Sequence, residues 1–263
     1  MTTYPLWEGK APGAETEAPS IDCYLPESKK SEAAFLILPG GAYTGRAPHE
    51  GRGYAEFLNA LGITAFVVAY RCFPAHFPDP LLDARRAVRF VRANAERFGI
   101  DPDRILVIGS SAGGHLAALL STYRDPIEGE GADAIDAIDP FPNAQVLCYP
   151  VISSDEEISH KYSYEKLLGD RYPERAAFSP ELLVSAATPP AFLWHTAEDP
   201  VVPVENSYRY AIALRTAGVA CELHVFPYGP HGLGAAAGDP HVAQWVSLLK
   251  NWLILNQFLP AEA

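Results

Sequence analysis

The segment LVIGSSAGGHL, residues 106–116, ends an apolar run in a serine set among the smallest side chains. Within it, GSSAG fits G-x-S-x-G, a pattern that places serine on a strained turn between a strand and a helix. Side chains beside such a serine would collide with the turn, so Gly109, Ala112 and Gly113 around Ser111 are the residue types the turn demands. Glycine and serine are common, and a tight turn with an incidental serine would read the same. The setting carries more: four apolar residues, 105–108, come before the pentapeptide and a helix-forming AGGHLAALL comes after it.

A hydroxyl turns nucleophilic only when a base takes its proton, and the base needs an acid to hold its tautomer. For serines on this kind of turn the chain order is serine, acid, histidine. Of the eight histidines, His231 and His241 lie late enough to fit. His231 sits in FPYGPHGLG, where glycines and prolines free the loop to bring an imidazole over a sheet edge, and it is the first choice. His241 opens the last helix, His224 lies inside a strand, His115 is one turn past Ser111 on the same helix, and His195 precedes the acid. The acid should leave the strand before His231, and FLWHTAEDPVVP offers Glu198 and Asp199. The Pro-Val-Val-Pro that follows would stiffen the loop, so Asp199 comes first and Glu198 second. A developing oxyanion also needs preset N–H donors. Ala112, directly after the serine, supplies one, and Gly41 and Ala42 in LILPGGAYTG supply the others. Tyr43, Arg46, Arg71, Tyr149, His195 and Tyr228 are candidates to line the pocket, with Tyr43, Arg71 and Tyr149 foremost; packing or surface solvation explains each equally well.

These residues need a scaffold. AAFLILPGG, ITAFVVAY, RILVIGS, AQVLCYPVI, PPAFLWHT and ACELHVF read as strands, and amphipathic stretches alternate with them. One such stretch, DPLLDARRAVRFVRANAERFGI, puts Leu81, Ala84, Val88, Val91, Ala95 and Phe98 on one helical face. Strands apolar throughout and alternating with helices imply an α/β protein: a mostly parallel sheet covered on both faces. Residues 125–143 (acidic, rich in Gly and Pro) and 153–188 (polar, weakly helical) break the alternation. They read as loops or a small insertion at the strand C-terminal edge of a single domain over 1–263.

The chain has 263 residues, 48% of them hydrophobic and 20% charged, the composition of a folded globular protein. Its formal net charge of −12 disfavours nucleic acid or an anionic membrane as partner. The four cysteines, Cys23, Cys72, Cys148 and Cys221, are widely spaced without metal-binding spacing and read as buried free thiols. No basic start with an apolar core resembles a signal peptide, and no apolar run reaches the ~18 residues that span a bilayer, so the expected location is the cytoplasm.

With LPGGAY, GSSAGGHLA, the AED loop and PHGLG in order, the chain resembles the α/β-hydrolases. Within them it is similar to the small acetyl xylan esterases and feruloyl/acetyl-xylan esterase-like proteins. The resemblance runs from residue 6 to the final helix. It departs in the oxyanion loop, where Pro39 and Ala42 stand at places that usually hold a histidine and a third glycine; alanine still supplies its N–H. The resemblance implies a triad of Ser111, Asp199 and His231, a short acyl pocket without a large cap, and no metal or organic cofactor. It implies a serine esterase removing short acyl groups, acetyl foremost, from carbohydrate such as acetylated xylo-oligosaccharides, as a monomer or small homo-oligomer. A general carboxylesterase and a non-catalytic binding module on the same fold are the alternatives. An oligopeptidase would carry a large extra domain, a lipase an apolar lid, and a dienelactone-type hydrolase a cysteine at position 111.

Overall fold

Among the described residues every strand enters one eight-stranded sheet, in the order β1 (Thr2–Pro5), β2 (Ser20–Tyr24), β4 (Thr64–Ala69), β3 (Ala34–Leu38), β5 (Ile105–Ser110), β6 (Ala144–Cys148), β7 (Ala191–Thr196) and β8 (Cys221–Phe226). The computed structural model describes residues 1–13, 17–131 and 133–261. Ala14, at the start of the resemblance, and Ala132, inside the acidic loop, lie outside the described residues, as do the last two residues of the expected domain. From β4 to β8 the strands run parallel, while β1 and β2 pair antiparallel at one edge. The sheet is that of an α/β-hydrolase.

Strand alternation sorts the core into two layers. On β3, Ala34, Leu36 and Leu38 face one side and Phe35 and Ile37 the other. The first side is covered by α2 (Asp79–Ala93), α4 (Ser111–Thr122), α5 (Lys161–Leu168) and α7 (Glu205–Thr216), the second by α1 (Pro48–Ala60) and α8 (Gln244–Leu255). Short helices α3 (Ala95–Phe98) and α6 (Pro180–Leu183) complete the chain order.

The order reverses between β3 and β5: α1 carries the chain from β3 to β4, and α2 brings it back across to β5. Loops leaving β3 and β5 therefore diverge and open a crevice at the strand C-terminal edge, the usual ligand position in such sheets. Register then sets what meets there. Leu38 pairs with Gly109, Ser110 with Cys148, Cys148 with Trp194 and Thr196 with Phe226. The next residues along these strands, the Pro39–Ala42 loop, Ser111, Tyr149 and the two loops of Asp199 and His231, emerge side by side.

Two expectations change, and two strands leave no clear sequence signal. The N-terminal β1 is short and mostly exposed and β2 is short and half-buried, so neither has the continuous apolar run of a central strand. Residues 125–143 lie at the opposite edge of the sheet from Ser111: α4 carries the chain back, and Asn143 N–H donates to the Ile105 carbonyl at the start of β5 (2.7 Å). The acidity of that loop has a partner in α2, where the buried Arg86 meets Asp133 at 2.6 Å and Asp136 at 3.0 Å, and Arg85 meets Glu130 at 2.9 Å. Residues 153–188 do follow a strand C-terminus, yet they hold α5, a 3-10 stretch from Gly169 to Phe178 and α6. Their buried side chains, Tyr164, Leu167 and Phe178, reinforce the core beside α4.

Candidate active site

Ser111 has φ of 52°, the left-handed conformation that a non-glycine residue adopts at a cost. Its neighbours make that turn possible. A Cβ on Gly109 would run into the backbone of Gly113, and one on Gly113 into the carbonyl oxygens of Leu38 and Pro39. The hydroxyl so raised is 2.8 Å from His231 Nε2, and His231 Nδ1 is 2.6 Å from Asp199 Oδ2. A carboxylate only accepts, so the proton sits on Nδ1 and Nε2 is left to accept from the serine.

Asp199 is buried. Burial pushes its carboxyl up, but hydrogen bonds from His195, His231 and the Val202 amide overcome that and hold it well below the ordinary carboxylate range. Oδ1 accepts from the amides of Val201 and Val202, both at 2.9 Å. His195 lies behind the carboxylate, fully buried, rather than lining the cleft. Its Nε2 is 2.9 Å from the Val202 carbonyl and 3.4 Å from Asp199 Oδ2, while Nδ1 meets Ser207 Oγ at 2.7 Å. Since the carbonyl needs a donor, Nε2 carries the proton and Nδ1 accepts from serine. Glu198 points to solvent, and His241 is exposed at the turn before α8.

On the other side of the crevice the β3 loop turns through Gly41, Ala42 and Tyr43 with φ of 138°, 53° and 59°. Three consecutive positive values are held by Thr44 N–H to Gly41 O (2.9 Å) and Ala47 N–H to Gly40 O (2.8 Å). Neither the Gly41 nor the Ala42 amide has a hydrogen-bond partner among the described residues. The Ala112 amide lies in the first turn of α4, where helices leave N–H groups without an intrahelical acceptor.

The three foremost pocket candidates need correcting. Arg71 is fully buried and committed to Asp83, with Nη2 2.8 Å from Oδ1 and its own amide 2.7 Å from Oδ2. Tyr43 contributes its backbone to the loop, but its ring is buried and its hydroxyl meets His115 Nδ1 at 2.8 Å. Tyr149 is buried too; its ring stands edge-on to His231, centroids 5.1 Å apart, and its hydroxyl is engaged internally. Residue type alone marked all three as polar groups near strand ends and could not show which way they point. Arg46 is partly exposed and bonded to the Tyr70 carbonyl (2.6 Å), and Tyr228 projects into solvent.

His160 went unread, since it sits in the polar stretch before α5. Burial, and next the nearby His231, hold its imidazole below the ordinary value while Asp199 pulls the other way, and its Nδ1 meets Ser163 Oγ at 2.8 Å. His115 serves packing. Nε2 donates to the Phe178 carbonyl (2.9 Å), Nδ1 accepts from Tyr43, and burial lowers its pKa to about 4. Its folded value lies below the unfolded ~6.5, so this group's contribution is complete above pH 6.5 and is lost as pH falls to about 4, some 3 kcal/mol in all. Urea unfolding from pH 4 to 7 should show that slope in the wild type and a flatter one in His115→Gln; equal slopes would contradict it.

All four cysteines are unpaired, Cys221 only partly buried. Burial pushes Cys23 and Cys72 up to about 11 and Cys148 and Cys221 up to about 12, leaving them protonated and poor nucleophiles near neutrality. Among the described residues no helix is long and apolar enough to cross a membrane.

Residues 21–214 match the model of the BD-FAE family. The chain belongs to the BD-FAE family. It is 38% identical over 235 residues to endo-1,4-beta-xylanase B of Butyrivibrio fibrisolvens, a match covering 86% of this chain and 36% of that protein. It is 37% identical over 238 residues to the acetylxylan esterase of Xylanibacter ruminicola, covering 88% of this chain and 47% of the relative. The chain thus spans less than half the length of these two relatives. An acetyl ester-xyloside bifunctional hydrolase from Caldicellulosiruptor lactoaceticus superposes with a TM-score of 0.91 at 42% identity, covering 98% of this chain and 97% of that one.

Proposed function

We propose that the chain is a serine esterase that removes short acyl groups, acetyl foremost, from carbohydrate esters such as acetylated xylo-oligosaccharides. One observation carries the reading: Ser111, His231 and Asp199 stand in an unbroken hydrogen-bonded row at 2.8 and 2.6 Å, beside the Gly41 and Ala42 amides, which have no partner among the described residues. The acetylxylan esterase and the acetyl ester-xyloside hydrolase among its relatives support acetylated sugar as substrate.

In the proposed reaction Ser111 Oγ attacks the ester carbonyl carbon as its proton passes to His231 Nε2. The carbonyl oxygen becomes an oxyanion facing the amides of Gly41, Ala42 and Ala112, and Asp199 steadies the imidazolium. Collapse breaks the bond to the alcohol, which leaves with the proton from His231, and an acyl-serine remains. Water, deprotonated by the same histidine, attacks that ester, and the carboxylic acid leaves as Ser111 recovers its proton. The reading takes the chain as one domain acting in the cytoplasm, which its four unpaired thiols support.

The deciding experiment is a panel of p-nitrophenyl esters of rising chain length beside acetylated xylo-oligosaccharides. Turnover is expected to fall beyond short acyl chains, with acetate released from the oligosaccharides. Hydrolysis of p-nitrophenyl acetate with no release from oligosaccharides would instead favour a general carboxylesterase.

A further inference from the structure

The first turn of α1 holds a carboxyl group that the mechanism above does not use. Glu50 is 2% exposed, and both its oxygens are engaged. Oε2 accepts from the Gly40 amide at 2.6 Å, and Oε1 accepts from the Tyr149 hydroxyl at 2.7 Å. The Tyr149 oxygen in turn accepts from the Gly234 amide at 2.8 Å. Gly40 immediately precedes the Gly41 and Ala42 donors, and Gly234 lies three residues past His231. One carboxyl group thus joins the loop that would receive the oxyanion to the loop that carries the base.

The surroundings argue for purpose. Burying a carboxyl group costs several kcal/mol unless its partners compensate, and here they are a backbone amide and a phenol rather than an arginine or lysine. The N-terminal turn of a helix adds a favourable dipole. There is no slack: a Cβ on Gly40 would come 2.7 Å from Glu50 Oε2 and 3.1 Å from Ser111 Cβ. The adjacent His49 grips the same base loop, its Nε2 2.9 Å from the Gly232 carbonyl and 3.9 Å from Glu50 Oε1. Beneath Glu50 the row continues sideways. Tyr149 Oη is 3.4 Å from Tyr54 Oη, which lies 2.7 Å from Ser110 Oγ, one residue before the nucleophile.

We propose that Glu50 is a positioning residue that holds the Gly41/Ala42 amides and His231 in a common register, acting through Gly40 on one side and through Tyr149 and Gly234 on the other. It rests on the esterase reading and adds to it a residue that touches no reacting atom. Gln at position 50 must keep its oxygen toward the Gly40 amide, which only donates, so its NH2 faces the Tyr149 oxygen; that oxygen already accepts from Gly234 and its hydroxyl must turn away, which weakens the link to the base loop. Because misplacement by about 1 Å can cost a hundredfold in rate, the expected change lies in the chemical step rather than in binding.

The test compares wild type, Glu50→Gln, Tyr149→Phe and the double variant at 25 °C, with near-UV circular dichroism to establish folding. For p-nitrophenyl acetate, kcat should fall roughly 10- to 100-fold in Glu50→Gln with KM within about twofold. The rate of Ser111 modification by a fluorophosphonate should fall in parallel. Tyr149→Phe should lose about tenfold, and the double variant should be no slower than Glu50→Gln alone, since both act along one path. A folded Glu50→Gln with full kcat and a full phosphonylation rate would overturn the proposal, as would additive losses in the double variant. If Glu50→Gln does not fold, Tyr149→Phe decides alone, because it keeps the ring and removes one oxygen; unchanged kcat there is equally fatal. Wild-type turnover judges the esterase reading, and the ratios among variants judge Glu50.

Discussion

Replacing Ser111 by alanine should lower kcat for p-nitrophenyl acetate by about a million-fold while leaving the fold intact. The magnitude follows from what a single oxygen does. Without Oγ no acyl-enzyme can form, and His231 has no proton to take; the amides of Gly41, Ala42 and Ala112 could only polarise an ester for attack by water. That residual polarisation is worth about a thousand- to ten-thousand-fold over the uncatalysed rate in serine enzymes of this kind, so Ser111→Ala should not fall to the rate of water alone. Folding should not suffer, because alanine keeps the Cβ that the turn already accommodates and removes one oxygen whose partner, His231, still reaches solvent. Two further measurements sharpen the outcome. A fluorophosphonate should label the wild type at one mole per mole and Ser111→Ala not at all. Ser111→Ala combined with His231→Ala should be no slower than Ser111→Ala, because the two act as one unit. Undiminished hydrolysis by Ser111→Ala would place the nucleophile elsewhere, and a wild type that takes no label would favour a binding module.

Ser111 could be read from the chain because its constraints are local. The contacts that forbid side chains at Gly109 and Gly113 lie within four residues of one another or on the strand paired alongside, and they leave a visible trace as missing Cβ atoms. The parallel order is legible for a similar reason: strands buried on both faces must be apolar along their length, as β3 and residues 105–108 of β5 are. Direction is what a sequence does not display. Glu198 and Asp199 are neighbours of like chemistry, and the choice between them is made by the Val201 and Val202 amides and by His195, which draw Asp199 inward. Arg71 resembles a substrate-binding residue at a strand end until Asp83, twelve residues on, is seen to cover it completely. Glu50 is the hardest case. An acidic residue in the first turn of a helix is commonplace on a protein surface, and only long-range partners, Tyr149 ninety-nine positions away among them, distinguish this one.

Asp199→Asn should cut kcat about ten-thousandfold near neutral pH with KM little changed. The reason is a proton on the wrong nitrogen. In the wild type Oδ1 is held by two backbone N–H groups and Oδ2 accepts from His231 Nδ1. Asparagine must keep its oxygen toward Val201 and Val202, which can only donate, so its NH2 faces His231. Nδ1 must then accept, the proton moves to Nε2, and the Ser111 hydroxyl loses its acceptor. Stability should respond in a defined pH window. The native state holds Asp199 below the unfolded value near 3.9, so its contribution is present above that value and is lost as pH falls toward the native one. The difference in unfolding free energy between wild type and Asp199→Asn should accordingly be largest near neutrality and shrink below about pH 4. The exposed Glu198→Gln is the control and should retain full kcat. Loss of activity in Glu198→Gln, with Asp199→Asn within tenfold of wild type, would transfer the acid's role to the neighbouring residue.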